Sequence, residues 1–242
     1  MSRVHSRSLA LLVFLTALVA LSPTSKAAEP QQMIATFIQA APRMVRVDVQ
    51  REGSRLGVGT GFPISDRVVV SVCHVVRGAK AVTVSAGSAW ASEVTHVAED
   101  VGHDLCLLRT KDPMAVRPFA LKEATLGESV VAVGYSMGMG LRFHPGEVTA
   151  LHEFEGAKVI RSTTAFRQGA SGGALLNDKG EVVGVVSFMD SLGVGYYSLP
   201  SRWIHDTNKQ EKFKPIGEHD SKVLAFWERR QEEQPEFLRG DQ

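Results

Sequence analysis

The residues with the clearest potential for chemistry lie in RQGASGGALL, residues 167–176, where Ser171 sits among glycine and alanine. A serine nucleophile needs a general base, usually histidine, and a carboxylate that fixes the tautomer of that histidine. It also needs backbone N–H groups aimed at the developing oxyanion, and a glycine-rich turn gives the backbone the freedom to present them. The chemistry would be acyl transfer, and a plain turn of small residues is the alternative.

Candidate partners for Ser171 lie in two apolar stretches upstream. His74 is near the end of the run VVVSVCHVV, and Asp104 is near the start of HDLCLLR. Each has an ordinary explanation when taken alone, since a histidine in such a run is more often a core residue and an aspartate before a strand is usually a turn or a cap. The three residues together are a stronger indication of a catalytic set than any one of them.

The pentapeptide GASGG fits two catalytic patterns, G-x-S-x-G and G-x-S-G-G. The first belongs to α/β-hydrolases, where the serine lies between a strand and a helix and its partners follow it in the chain. The acid would then be Asp190 or Asp206, and the base His205 or His219. However, GGALLNDKGEVVGVV after Ser171 predicts two strands and a turn, with no helix. The second, chymotrypsin-like pattern requires the order His, Asp, Ser, which His74, Asp104 and Ser171 follow.

The elements that must position these residues are short strands. From residue 43 the chain consists of valine-rich runs of four to eight residues separated by Gly, Ser, Asp and Arg, which is typical of antiparallel strands. About six such runs lie on each side of a loop with two prolines. We therefore predict an all-β fold, a double six-stranded antiparallel β-barrel of the chymotrypsin-like kind, with short helices at its ends.

The predicted organisation has six parts. The first 27 residues have the order of a secretory signal peptide, with Arg3, His5 and Arg7 before an apolar run of 13 residues, and we expect cleavage after Ala27, an uncleaved anchor being the alternative. The other boundaries are 28–42 for an N-terminal helical segment, 43–110 for the first barrel, 111–128 for an inter-barrel linker, 129–203 for the second barrel and 204–242 for a C-terminal helical tail. In that tail SKVLAFWERRQEE has helix-compatible spacing, and we expect the tail to pack on the body, with binding to a partner or partial disorder as the alternatives.

The charge of the predicted mature chain is nearly balanced. Cleavage would leave 24 of the 27 basic side chains against 26 acidic ones. Such a chain gives no indication of a nucleic-acid partner. The histidines outside the candidate site have no metal-ligand spacing, so no metal and no cofactor are predicted.

Four segments resemble, in order and spacing, the protease domain of trypsin-like serine proteases of the bacterial HtrA (Deg) type. They are GVGTGFPISDRVVVSVCHVV, HDLCLLR, LGESVVAVGYSMGMGLRFHPGEVTAL and RQGASGGALLNDKGEVVGVVSF, and the resemblance covers about residues 42–203. It implies that Ser171 attacks the scissile carbonyl, His74 transfers the proton and Asp104 orients His74. It also implies an oxyanion hole formed by the N–H groups of Gly169 and Ser171.

The resemblance further implies a substrate-binding surface. Ser187 would help to hold Asp104 and would start the strand Ser187, Phe188, Met189, which pairs with an extended peptide. Ala165 would lie at the base of the primary pocket, where an aspartate would select Arg or Lys and alanine cannot. With Met189 on the wall, we expect a shallow pocket that prefers small or medium apolar side chains.

Two departures from the HtrA pattern carry expectations. About 40 residues follow Pro200, so we expect a protease domain without a PDZ domain. Cys73 and Cys106 flank the implied triad and would lie near each other, because His74 and Asp104 must meet. In an oxidising compartment the two cysteines would be either a disulfide or two buried thiols.

The resulting hypothesis is an exported serine endopeptidase, periplasmic or extracellular, that hydrolyses extended or unfolded protein substrates through an acyl-enzyme. Its partners would be protein or peptide substrates, with no nucleic acid and no membrane association after signal cleavage. A catalytically silent member that binds peptides in the same cleft is the alternative, and an α/β-hydrolase esterase is a more distant one. The oligomeric state, the natural substrate and any need for an activator are not predicted.

Overall fold

The fold is described from a computed structural model, which describes residues 30–136, 140–190, 193–210, 212–218 and 223–239. The predicted signal peptide, residues 1–27, lies outside these ranges. A helix, α1 (Pro30–Ala40), comes first and packs on the second barrel. None of the helices in the described part of the chain has the length and apolar content needed to cross a lipid bilayer.

The first barrel is a closed ring of six antiparallel strands. Around the ring the order is β5–β4–β1–β2–β3–β6, and β6 pairs back with β5. The strands are β1 (Val45–Arg51), β2 (Leu56–Pro63), β3 (Val68–Val72), β4 (Ala79–Ala86), β5 (Trp90–Asp100) and β6 (Leu105–Thr110). A one-turn helix, α2 (Cys73–Val76), follows β3.

The second barrel is also closed, in the order β10–β11–β12–β9–β8–β7. Its strands are β7 (Ser129–Tyr135), β8 (Leu141–Phe154), β9 (Ala157–Ser162), β10 (Ala174–Asn177), β11 (Val182–Met189) and β12 (Tyr196–Pro200). The predicted double six-stranded antiparallel barrel is therefore confirmed.

The sequence pattern explains how the strands bury their side chains. In β1, Val45, Val47 and Val49 are buried and alternate with less buried polar residues, as expected for a strand with one face on a core. In β11 every residue except Met189 is buried, because this strand packs inside the second barrel and also against the first barrel and the C-terminal tail. The linker between the barrels lies alongside the start of β11. The Lys122 N–H donates to the Val182 oxygen, and the Val182 N–H donates to the Ala120 oxygen.

The C-terminal tail packs on both barrels. After α3 (Ser201–Gln210), a two-residue strand, β13 (Lys214–Pro215), pairs with β5 of the first barrel. Farther along, Phe226 is fully buried and Phe237 stacks on His152 of the second barrel. The last helix is α4 (Glu236–Arg239).

One helix prediction for the tail is wrong. Residues 223–230 contain a turn at residues 226–228 and no helix, although their apolar spacing is compatible with one. The Phe226 N–H donates to the Gly102 oxygen of the first barrel, and the Ala225 N–H donates to the Glu228 carboxylate. These bonds hold the backbone in a path that buries Ala225 and Phe226, so tertiary contacts override the local preference.

Candidate active site

His74 and Asp104 are brought together by the ends of β3 and β6. His74 is the second residue of α2, directly after β3, and Asp104 directly precedes β6, which pairs with β3. The Cys73 N–H donates to the Asp104 main-chain oxygen, and the His74 N–H donates to Asp104 Oδ1 at 2.8 Å. The His74 ring contacts the same carboxylate through Nδ1, 2.7 Å from Oδ2. Asp104 has a φ of 64°, an uncommon conformation for a residue other than glycine, and these main-chain bonds hold it there.

The Asp104 carboxylate is fully buried and has further hydrogen-bond donors. Ser187 Oγ donates to Asp104 Oδ2 at 2.8 Å, and the Trp227 indole N–H donates to the same oxygen at 3.3 Å. A buried carboxylate is costly unless it is hydrogen-bonded, and these donors with the two from His74 meet that cost. The geometry around Ser187 agrees with what the resemblance implies for this residue.

Ser171 lies on the other side of the cleft, in the loop between β9 and β10. Its Oγ donates to the main-chain oxygen of Ser187 at 3.1 Å, and the described residues show no hydrogen bond between Ser171 and His74. Both side chains line the same cavity. The Ser171 hydroxyl, which is bonded to the Ser187 oxygen, would have to rotate before it could form a hydrogen bond with His74.

The loop before Ser171 carries the two N–H groups that the resemblance assigns to an oxyanion hole. Residues 167–170 form a turn closed by a 3.0 Å hydrogen bond from the Ala170 N–H to the Arg167 oxygen. Gly169 is in the third position with a φ of 92°, where a type II turn requires a positive φ and glycine meets that requirement without strain. Within the described residues the N–H groups of Gly169 and Ser171 have no acceptor, which leaves two adjacent donors for an oxyanion.

Thr60 of β2 holds this loop in place, and its role is missed by the sequence analysis. The Thr60 N–H donates to the Ser171 oxygen at 2.8 Å, and Thr60 Oγ1 donates to the Gly169 oxygen at 2.7 Å. The same Oγ1 accepts a hydrogen bond from the Tyr135 N–H of β7. A single residue of the first barrel thus binds two carbonyl groups of the second, one through its main-chain N–H and one through its hydroxyl. The motif GVGTGF contains Thr60, but nothing local indicates which loop it would bind.

The cleft runs past His74 and Ser171 along β11. It is lined by His74, Phe166, Arg167, Gln168, Ser171, Ser187, Phe188, Met189, Asp190 and Trp227. Phe188 and Met189 pair with β12 on one side of β11. On the other side β10 pairs with β11 only as far as Val185, and none of the described strands covers residues 187–189 there. That open edge has the geometry needed for pairing with an extended peptide.

The pocket residue differs from the expected one. Ala165 is exposed and does not line the cleft, whereas its neighbour Phe166 is buried, lines the cleft and packs edge-to-face on Tyr196 at 5.2 Å. Burial alternates along residues 162–166, as in an extended chain, and this alternation turns Ala165 outward and Phe166 inward. Met189 lines the cleft, as the resemblance implies.

The two cysteines lie directly beneath this site. Cys73 and Cys106 are joined by a disulfide with a Cα–Cα distance of 5.0 Å. Cys73 precedes His74, and Cys106 is the second residue of β6 after Asp104. The bond therefore connects the two backbone segments that carry the His74–Asp104 pair.

The sequence matches known proteins over most of this body. The family model described as the trypsin-like peptidase domain matches residues 59–185. A probable periplasmic serine endoprotease, DegP-like, of Pseudomonas putida is 33% identical over 197 residues, covering 77% of this chain and 40% of the relative. A protein of the same description from Ectopseudomonas mendocina is 31% identical over 202 residues, covering 79% of this chain and 41% of the relative. The chain thus spans less than half the length of these two curated relatives.

The comparison of structures gives the same fold. The crystal structure of the Rv3671c protease from M. tuberculosis, in its active form, matches with a TM-score of 0.72 and 23% identity, covering 84% of this chain and 99% of that one. The HtrA-type protease AlgW matches with a TM-score of 0.67 and 20% identity, covering 77% of this chain and 64% of that one. At these identities the matches show a shared fold. The resemblance to the HtrA type is confirmed, and the family match over more than half of the sequence shows that this chain belongs to the trypsin-like peptidase domain family.

Proposed function

We propose that the protein is a serine endopeptidase in which Ser171, His74 and Asp104 form the catalytic triad. The observation that carries this proposal is the continuous set of hydrogen bonds from Ser187 through Asp104 to His74 Nδ1, in the cleft that Ser171 also lines. This arrangement fixes the histidine with Nδ1 as the donor, so its other ring nitrogen is left to accept a proton.

The reaction would follow from these positions. Ser171 Oγ leaves the Ser187 oxygen, attacks the scissile carbonyl carbon and passes its proton to His74. The carbonyl oxygen becomes an oxyanion that accepts hydrogen bonds from the N–H groups of Gly169 and Ser171. Collapse breaks the C–N bond as His74 returns the proton to the leaving amine, which gives an acyl-enzyme. Water, deprotonated by His74, then releases the acid and restores Ser171.

The substrate would be an extended or unfolded segment of protein. The open edge at residues 187–189 supports main-chain pairing with such a segment. Phe166 takes up space that a deep pocket would need, which supports a preference for small or medium apolar side chains before the scissile bond. Cleavage of peptide libraries only after Arg or Lys would contradict this preference.

The site of action would be the periplasm or the cell exterior. The predicted signal peptide supports export, and the two DegP-like relatives are described as probable periplasmic proteins. The Cys73–Cys106 disulfide also fits an oxidising compartment. The mass of the protein recovered from the periplasm of an expressing bacterium tests this proposal. Recovery of the protein only from the cytoplasmic fraction, with residues 1–27 still attached, would contradict it.

Labelling with a fluorophosphonate tests the nucleophile. We expect the wild type and a Ser88→Ala control, which alters an exposed serine outside the cleft, to label equally, and Ser171→Ala not to label. The wild type and Ser88→Ala should also hydrolyse casein at equal rates, and Ser171→Ala should not hydrolyse it. Turnover of small esters without casein hydrolysis would contradict the endopeptidase assignment.

A catalytically silent, peptide-binding protein is the second candidate. The observation that favours it is the hydrogen bond from Ser171 Oγ to the Ser187 oxygen, which withholds the hydroxyl from His74 in this structure. Binding of unfolded casein by both wild type and Ser171→Ala, with no serine-dependent labelling in either, would support this candidate instead.

A further inference from the structure

We propose that the C-terminal tail supplies a residue of the active site: Trp227 is a positioning residue that holds Asp104 and excludes water from the His74–Asp104 pair. The inference rests on the proposed function, because it assigns a role within the same triad. It also gives a role to the tail.

The contacts of Trp227 are with the triad itself. Its indole N–H donates to Asp104 Oδ2 at 3.3 Å, the oxygen that also binds His74 Nδ1. Its ring lies edge-to-face against the His74 imidazole, with 5.4 Å between the ring centroids. The indole also stacks on Phe188 of β11, with 4.8 Å between the ring centroids and an angle of 10° between the ring planes. Trp227 is therefore in contact with both members of the His–Asp pair and with the substrate-pairing strand.

The chain around Trp227 is fastened to the segments that carry these two residues. Phe226 is fully buried and donates its N–H to the Gly102 oxygen, two residues before Asp104. Glu228 forms a bidentate ion pair with Arg77, three residues after His74, with one contact of 2.8 Å. Burial opposes ionisation of Glu228, but the Arg77 hydrogen bond and charge outweigh it and lower the Glu228 pKa. The residues on either side of Trp227 thus fix its ring relative to both triad members.

The electrostatic effect follows from this placement. When His74 accepts the Ser171 proton, an imidazolium forms beside the Asp104 carboxylate, and this attraction is stronger where water is excluded. The indole covers the pair with apolar surface and adds one donor to Oδ2. A hydrogen bond to a charged group holds the carboxylate in its ionised form and in one orientation.

The experiment uses full-length variants. Trp227→Phe keeps an aromatic ring against His74 and Phe188 but removes the N–H, whereas Trp227→Ala removes both. Trp90→Phe is the matched control, since the Trp90 indole also donates to one oxygen, that of Pro113, but lies on the first barrel and does not line the cleft. Each variant is assayed for kcat and KM with a peptide substrate across pH, and its thermal unfolding is measured.

We expect Trp227→Phe to lower kcat about three- to ten-fold with little change in KM. Trp227→Ala should lower kcat/KM by about 100-fold, where each tenfold loss corresponds to about 1.36 kcal/mol of activation free energy. The acidic limb of the kcat/KM profile should move to higher pH in Trp227→Phe, because the Asp104 carboxylate loses a donor while the phenyl ring still excludes water from the pair. Trp90→Phe should match the wild type. A Trp227→Phe enzyme with unchanged kcat and profile, or equal losses in Trp90→Phe, would overturn the inference.

A readout that does not need activity separates this inference from the proposed function. In a Ser171→Ala background, the NMR resonance of the proton between His74 and Asp104 should shift on Trp227→Phe and stay unchanged on Trp90→Phe. If the wild type fails to label with fluorophosphonate, the proposed function is wrong, while this shift still decides whether Trp227 positions the pair. If the wild type labels and the resonance does not move, the inference about Trp227 is wrong.

Discussion

The Thr60 hydroxyl donates a 2.7 Å hydrogen bond to the Gly169 oxygen, across the boundary between the two barrels. The bond orients the peptide that follows Gly169, next to the N–H groups proposed for the oxyanion hole. The acceptor is buried with Thr60, so loss of the hydroxyl leaves a carbonyl without its partner, at a cost of about 1–3 kcal/mol.

Replacement of Thr60 should therefore affect catalysis more than binding. Thr60→Val removes the hydroxyl at nearly constant shape, and we expect kcat to fall roughly 10- to 100-fold, less than the roughly 100- to 1000-fold for outright loss of an oxyanion-hole donor, because the donors are displaced and not removed. Thr60→Ser keeps the hydroxyl and should stay within a few-fold of the wild type. Steady-state kinetics of the two variants test this, and equal rates would show that the hydroxyl does not position the loop.

Gly172 is a position that should not tolerate a side chain. It has a φ of 87°, and an added Cβ would lie 2.1 Å from the Thr60 oxygen and 2.4 Å from Ser71 Oγ. Gly180 is the control, because it has a similar φ of 73° but open space around the Cβ position. We expect Gly180→Ala to cost about 1–2 kcal/mol through backbone strain alone, and Gly172→Ala more than about 4 kcal/mol. Urea unfolding measures both, and similar losses would contradict the prediction.

The Cys73–Cys106 disulfide should stabilise the fold. The bond joins residues 33 positions apart. Loop-closure entropy predicts a contribution of about 3–4 kcal/mol for a loop of this length. A Cys73→Ala, Cys106→Ala double variant should therefore unfold at lower urea concentration than the oxidised wild type. Reductant should shift the wild type toward the variant and leave the variant unchanged. Two free thiols in the oxidised protein would show that the bond does not form.

His103 should make stability depend on pH. Burial by itself would lower the pKa of His103, but the hydrogen bond to Asp100 and the charges of Asp100 and Glu155 outweigh burial and raise it. Nδ1 lies 2.7 Å from Asp100 Oδ2, and Nε2 lies 3.0 Å from Glu155 Oε2. A pKa raised by folding stabilises the protein below the unfolded-state pKa, and this contribution is lost as pH rises through the folded-state value.

The difference between wild type and Asp100→Asn isolates this contribution. The variant removes the strongest interaction that raises the His103 pKa, so it should cost more stability near pH 5.5 than near pH 8.5. Chemical unfolding at the two pH values measures it. A larger loss of stability at the higher pH would contradict stabilisation by protonated His103.

The strands, their two barrels and the meeting of His74, Asp104 and Ser171 could be predicted from the sequence. The strands can be predicted because the spacing of apolar residues within a strand depends only on neighbouring residues. The order His, Asp, Ser along the chain argues against the α/β-hydrolase fold, in which the serine comes first. The signal for β1 is the alternation of valine with polar residues, and for β11 it is a valine-rich run; both segments are strands in the structure.

Three residues of the site could not be predicted, for physical reasons. Thr60 and Trp227 bind groups that lie 109 and 123 positions away in the chain, and no local pattern records such partners. Phe166 lies outside any strand, so whether it or Ala165 faces the cleft depends on the path of the loop. Residues 223–230 have a turn at residues 226–228 in place of a helix because distant partners, Gly102 and Arg77, bind that segment.

The path of the tail also has a consequence for folding kinetics. The Arg77–Glu228 ion pair joins residues 151 positions apart, and the Trp227 contact with Asp104 spans β6 and the whole second barrel. Contacts between residues so far apart in the chain lose conformational entropy on loop closure before they add any stabilisation, so they form late. During refolding, barrel formation should precede docking of Trp227. A jump to native conditions should therefore restore far-UV circular dichroism before tryptophan burial, and full peptidase activity should appear only with the slower step.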